Sequence, residues 1–196
     1  MPGISVEVNG VRIATISLEG REVVDVSVYG ALDRDQKATL SAGGNHRAGD
    51  GYGYLIWIAE QALLAGDVVR VTLDESCSVA DQGKTIEELY PDGEPCTRTD
   101  FTIDETMAAE LRARPRLHEA FLVQAETSSG QQAAAASDEL NTDFSFSLLW
   151  DSFRPNQARV RLATHCLDNV LSRTGGTTHL KTTLSVGDSA SFVLAR

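Results

Sequence analysis

Val24, Val26 and Val28 alternate with Asp25 and Ser27, and Phe144, Phe146 and Leu148 alternate with Ser145 and Ser147. Successive side chains on a strand point to opposite faces, so each run has one apolar and one polar face. On a helix the same residues would scatter around the axis and leave no continuous apolar stripe. Ser5–Val8, Val69–Leu73 and Ser191–Leu194 carry the same pattern. The chain is therefore expected to be mainly β, built from sheets with one buried face.

The pattern occurs twice. Shifted by 120 residues, Gly10 falls on Gly130, Ala14 on Ala134, and Val24, Val26 and Val28 on Phe144, Phe146 and Leu148. The same shift puts Arg34 on Arg154, Ala38 on Ala158 and Leu40 on Val160. Beyond a one-residue gap near residue 50, a shift of 121 carries Leu63 to Leu184, Gly66-Asp67 to Gly187-Asp188, and Val71 and Leu73 to Phe192 and Leu194. This predicts an internal duplication: β unit one over residues 1–73, an acidic connection over 74–119, and β unit two over 120–196. Each unit is expected to hold roughly five strands. A lone unit of this size has a thin core, so the two are expected to pack as one body of β-sandwich type.

Turn chemistry agrees. Asn9-Gly10 between two alternating runs is a two-residue hairpin signal, because both residues tolerate positive φ. Gly66-Asp67 and Gly187-Asp188 read as tight turns, since no strand–glycine–helix context for phosphate surrounds them. Gly43-Gly44-Asn45 and Gly175-Gly176 read as loops. Leu55–Ile58, apolar on both faces, reads as a central strand with Trp57 in the core. In the connection the alternation lapses. Thr85-Ile86-Glu87-Glu88 and Thr102-Ile103-Asp104-Glu105 fit capping boxes, and Pro91 and Pro115 end the helices that follow.

The formal charge is -11, and it is uneven. The two β units carry -3 and -1, while the connection carries -7. From Asp74 to Glu110 there are eleven acids against Lys84 and Arg98. Phosphate binding needs a concentrated basic surface, so the net charge argues against nucleic acid as a partner. An acidic segment of this kind is either a solvated face or a docking surface for a basic protein. No calcium-loop spacing occurs.

Catalytic motifs are missing. His46, His118, His165 and His179 form no zinc spacing, and His165 and Cys166 would point to opposite faces of a strand. There is no nucleophile elbow and no phosphate loop. Trp150 reads as a core-edge residue, with a platform for a partner or sugar as the alternative. The start Met1-Pro2-Gly3-Ile4-Ser5 lacks a secretion signal, no apolar run is long enough for a membrane helix, and Cys77, Cys96 and Cys166 fit reduced thiols. A cytoplasmic location is expected; a Cys77–Cys96 bridge would accompany export by another route.

Val8-Asn9-Gly10, Leu55-x-Trp57, Leu63-x-x-Gly66-Asp67-x-Val69, Asp74-Glu75 and Tyr90-Pro91-Asp92 together resemble a group of small uncharacterised bacterial β proteins. The resemblance spans residues 4–92. It implies a β fold and assigns no functional residue.

These readings predict a non-catalytic protein-binding role without metal or cofactor. The expected partner is a protein with a basic surface, in the manner of a bacterial immunity protein that blocks a basic toxin or nuclease. Asp81, Glu87, Glu88, Asp92 and Glu94 are the expected contacts. The alternatives are an enzyme or carbohydrate-binding module with a pocket between the units at Trp150, His165 and His179, or a subunit of a larger assembly joined at strand edges.

Overall fold

A computed structural model describes residues 2–48, 51–93, 103–172 and 174–195. In half one the strands are β1 (Gly3–Val8), β2 (Val11–Ser17), β3 (Arg21–Ala31), β4 (Ala38–Ala48), β5 (Gly51–Leu63) and β6 (Val68–Asp74). Two helices follow, α1 (Ile86–Leu89) and α2 (Glu105–Arg112). Half two contributes β7 (Leu122–Thr127), β8 (Gln132–Ala136), β9 (Asp143–Asp151), β10 (Gln157–His165), α3 (Leu167–Leu171), β11 (Thr177–Ser185) and β12 (Ser189–Leu194). No helix among the described residues is long and apolar enough to cross a membrane.

The strands form two six-stranded antiparallel sheets, ordered β2-β1-β6-β12-β7-β8 and β11-β10-β9-β3-β4-β5. The fold is thus one β-sandwich shared by the halves, each giving three strands to each sheet. Six strands per half replace the expected five. The order reads identically from either end when β7–β12 are renumbered as β1–β6. Each sheet is closed by one seam, β3 against β9 and β6 against β12. At these seams Ser27 stands opposite Ser147 and Arg70 opposite Ser191, separations of 120 and 121 residues. Those equal the two shifts at which the alternating patterns of the sequence align.

The alternating residues fill the space between the sheets. Val24, Val26, Val28, Phe144, Phe146, Leu148 and Phe192 are fully buried. The Phe192 ring lies 5.7 Å from Phe144 and 5.4 Å from Phe146, and Phe121 meets Phe144 edge-on at 4.8 Å. Phe192 comes from one sheet and Phe144 and Phe146 from the other, so this aromatic group ties the layers together.

The Gly-Asp turns lock the halves reciprocally. Gly66 (φ 98) and Gly187 (φ 92) both occupy the left-handed region. The Gly66 amide donates to the Leu194 carbonyl at 2.6 Å, and the Gly187 amide to the Leu73 carbonyl at 2.7 Å. Each turn therefore closes on the end of the other half's last strand. Asp67 accepts from the Leu64 amide (2.7 Å) and the Asn9 side-chain amide (2.8 Å). Asp188 accepts from the Ser185 amide (2.9 Å) and the Ser128 hydroxyl (3.0 Å) in the same geometry. Asn9 (φ 54) and Gly10 (φ 78) form the expected tight hairpin.

Two local readings change. Gly43 and Gly44 lie inside β4 and not in a loop. A Cβ on Gly43 would strike the Tyr54 ring, and one on Gly44 would meet the Val23 carbonyl oxygen at 2.6 Å, so close approach and not turning explains them. β5 is an edge strand, not a central one. It is apolar on both faces because residues from the connection cover it, and Trp57, half-buried, packs against the core beneath the Arg21 guanidinium at 5.3 Å.

Removing either turn carboxylate strands matched donors. Asp67→Ala and Asp188→Ala are each expected to cost about 1–2 kcal/mol in urea unfolding, against a near-zero change for Glu60→Ala on the surface. Unequal losses that leave one turn silent would contradict the matched roles.

Candidate functional site

After β6 the chain runs back as a strap along the open edges of β2 and β5. Asp81 fastens it to β2. Its amide donates to the Thr15 carbonyl (2.8 Å), and its carboxylate accepts from the Thr15 amide (2.6 Å). The Asp81 carbonyl also accepts from the Trp57 indole N–H at 3.1 Å. Three residues on, Lys84 and Ile56 exchange both backbone bonds, at 2.8 and 2.9 Å, which seals β5. One short segment thus satisfies edge groups of both sheets, where unpaired strands invite aggregation.

The strap then turns into α1. Thr85 is its N-cap, accepting from the Glu88 amide, while the Glu88 carboxylate accepts from the Thr85 amide at 2.8 Å. This is the expected capping box. The Glu87 carboxyl is held below the usual carboxylate range, first by its own backbone amide and then by the Thr85 hydroxyl. Glu87 and Asp92 are exposed, and no cation pairs with either among the described residues. Ile86 and Tyr90 stand four residues apart at 49% and 56% exposure, and Val79 is exposed at 79%. Of the five expected contact acids, Asp81 and Glu88 therefore have intramolecular roles, Glu87 and Asp92 face solvent, and Glu94 lies outside the described residues. Cys96 and Thr102 also lie outside them. The second helix is capped by Asp104, which accepts from the Met107 amide at 2.8 Å.

A second polar group gathers at the far end of β3, β9 and β10. The Tyr29 hydroxyl donates to Asp143 Oδ1 at 2.7 Å, and the Thr142 hydroxyl to Asp143 Oδ2 at 2.7 Å. Arg34 lies over the Tyr29 ring at 4.7 Å, and the His165 ring sits 5.9 Å from it. Burial, then the bond to Asp143, pushes the Tyr29 phenol well above its ordinary pKa. Burial likewise lowers the His165 pKa, a shift that Asp143 opposes. Beside this group a cleft of about 440 Å³ opens between the β3–β4 turn, α2 and α3. Arg112 on its wall pairs with Asp168 at 2.8 Å.

The expected pocket at Trp150, His165 and His179 does not assemble around one cavity. Trp150 stands opposite Ala158 and His165 opposite Asp143, at the two ends of the β9–β10 hairpin. Trp150 faces the core, 3% exposed, with its indole N–H donated to the Pro155 carbonyl at 2.9 Å. His165 faces outward, while His179 Nε2 bonds the buried Thr164 hydroxyl at 2.8 Å. Among the described residues no group of three or more His, Cys, Asp and Glu is placed to hold a metal ion.

Sequence reasoning missed Tyr29, Arg34 and Asp143, because Tyr29 and Asp143 meet across a seam between residues 114 apart. It also missed Ile86 and Tyr90, although the capping box at Thr85 already placed them one helical turn apart.

The fold and its surfaces define the class: a two-sheet antiparallel β-sandwich with a strap across one pair of edges. Comparison with protein families, curated proteins and solved structures gives no match.

The His165 shift has a pH consequence. Its folded pKa is depressed, so the unfolded chain takes up the proton first as pH falls. The stability due to neutral His165 is intact above the unfolded value of about 6.5 and declines as pH drops below it. His165→Gln should therefore show a shallower loss of urea stability between about pH 7 and 5 than the wild type. Parallel curves would contradict this.

Proposed function

We propose that the protein is a non-catalytic binding protein whose strap presents α1 to a partner with a basic surface, in the manner of an immunity protein that occupies the anion-binding face of a toxin or nuclease. The observation that carries this reading is the outer face of α1. There Ile86 and Tyr90 offer exposed apolar area beside Glu87 and Asp92, two carboxylates that pair with no cation among the described residues. An apolar anchor rimmed by uncompensated charge is the arrangement that gives both affinity and steered encounter. The strap is pinned at Asp81 and Lys84 just before α1, so little ordering entropy opposes docking. The matched halves support descent from one duplicated β unit, with the strap as the later, unpaired addition. Free thiols at Cys77 and Cys166 support a reducing, cytoplasmic setting.

Affinity capture from the native cells tests it, using the tagged wild type beside Glu87→Lys/Asp92→Lys and Ile86→Ala/Tyr90→Ala. A basic protein should be enriched by the wild type and fall at least about tenfold with either variant and in about 0.5 M salt. All four substituted side chains are exposed or unpaired, so circular dichroism should show unchanged folding. A partner held equally by all three chains, or one insensitive to salt, would contradict the reading.

A further inference from the structure

The strap seals only half of the available edges. Pairing carries Ile16 through Ile4 to Leu73, and Ala135 through Val123 to Leu194, so Thr15 corresponds to Ala134. In the other sheet Ile56 pairs with Gly43 and Thr178 with Ala163, so Ile56 corresponds to Thr178. Thr15 and Ile56 are the two residues to which the strap is fastened. At Ala134 and Thr178 no backbone bond outside the sheet is made among the described residues.

β8 is also undefended. Its sequence, Gln132 followed by four alanines, has no charge and no proline, and its register against β7 is unbroken. β2, β5 and β11 each have a register break, and β2 and β5 have the strap as well. A groove of about 360 Å³ runs along the outer face of β8, bounded by Gln124, Glu126, Gln132, Ala134, Ser191 and Val193. The β11 side is cationic: the Arg161 guanidinium donates to the Thr178 hydroxyl at 3.0 and 3.3 Å, and Lys181 stands opposite Arg161. Strand addition at an edge takes its affinity from backbone pairing and its selectivity from the flanking side chains.

We propose that the β8–β11 edge receives an extended, carboxylate-bearing segment of a partner protein, docked as residues 78–84 dock on β2 and β5. A carboxylate of that segment accepts from the Ala134 amide. Three residues later its backbone pairs with Thr178, where an acidic side chain meets Arg161 and Lys181. The site is independent of α1 and of the partner drawn to it.

The probe is a synthetic peptide of residues 78–88 carrying Lys84→Glu, added to the isotopically labelled full chain. Ala134 and Thr178 amides should show saturable shifts and about tenfold slower hydrogen exchange. The same peptide with Asp81→Ala, and the peptide retaining Lys84, should each bind at least about fivefold more weakly. Ala134→Pro in the protein should abolish the response at Ala134's neighbours, since an edge strand tolerates proline where its N–H faces outward. Absence of shifts at millimolar peptide overturns the proposal. So do shifts centred on Thr15 and Ile56, which would mean displacement of the resident strap, or equal binding of all three peptides. The peptide arms leave the protein unaltered, so they decide the matter even if Ala134→Pro does not fold.

Discussion

Antiparallel pairing across the two seams is the interaction on which everything else rests. Without β3 against β9 and β6 against β12, each half would be a pair of three-stranded sheets with an open edge on each. Such a half has few inner positions to bury and two long backbone edges to leave unpaired. Joined, the inner residues form one continuous core reaching from Ile4 to Leu194. The reciprocal bonds from Gly66 to Leu194 and from Gly187 to Leu73 make each half's last turn conditional on the other half. Cooperative folding across the seam follows from that exchange.

The strap introduces asymmetry into an otherwise matched frame. Asp81 and Lys84 spend their backbone groups on β2 and β5. That fixes the start of α1 and turns Ile86, Glu87, Tyr90 and Asp92 outward as a set. The acidity concentrated in the connection thus has two separate physical roles. Asp81 and Glu88 satisfy backbone amides at an edge and a helix start, whereas Glu87 and Asp92 face solvent and pair with no cation among the described residues.

Much of the frame was legible in the chain. Period-2 valines and phenylalanines mark β3 and β9, but the pairing across the seams is not readable from the repeat: Val24, matched to Phe144 in sequence, stands opposite Trp150. Asn9-Gly10, Thr85-Glu88 and the Gly-Asp turns were read from local chemistry, which needs no tertiary knowledge. What stayed hidden required it. β8 is alanine-rich and has little β propensity of its own, so pairing with β7 makes it a strand. β1 and β2 match β7 and β8 at an offset of 119, because the stretch from Ile16 to Val24 is one residue shorter than the matching stretch from Ala135 to Phe144. β5 looked central because the segment covering it lies more than twenty residues away. Trp150 and His165 looked like neighbours in function, but opposite ends of one hairpin separate them. Asp81 reads in sequence as a partner contact, because the Thr15 amide that occupies its carboxylate lies 66 residues away.

Native-state hydrogen exchange across both halves tests the central claim of a single body held by its seams. Amides of β3, β6, β9 and β12 should exchange only by global unfolding, with one common free energy equal to that from urea denaturation. Lower protection for β9 and β12 than for β3 and β6, or a separate urea transition for either half, would show two independently folding units and contradict the account.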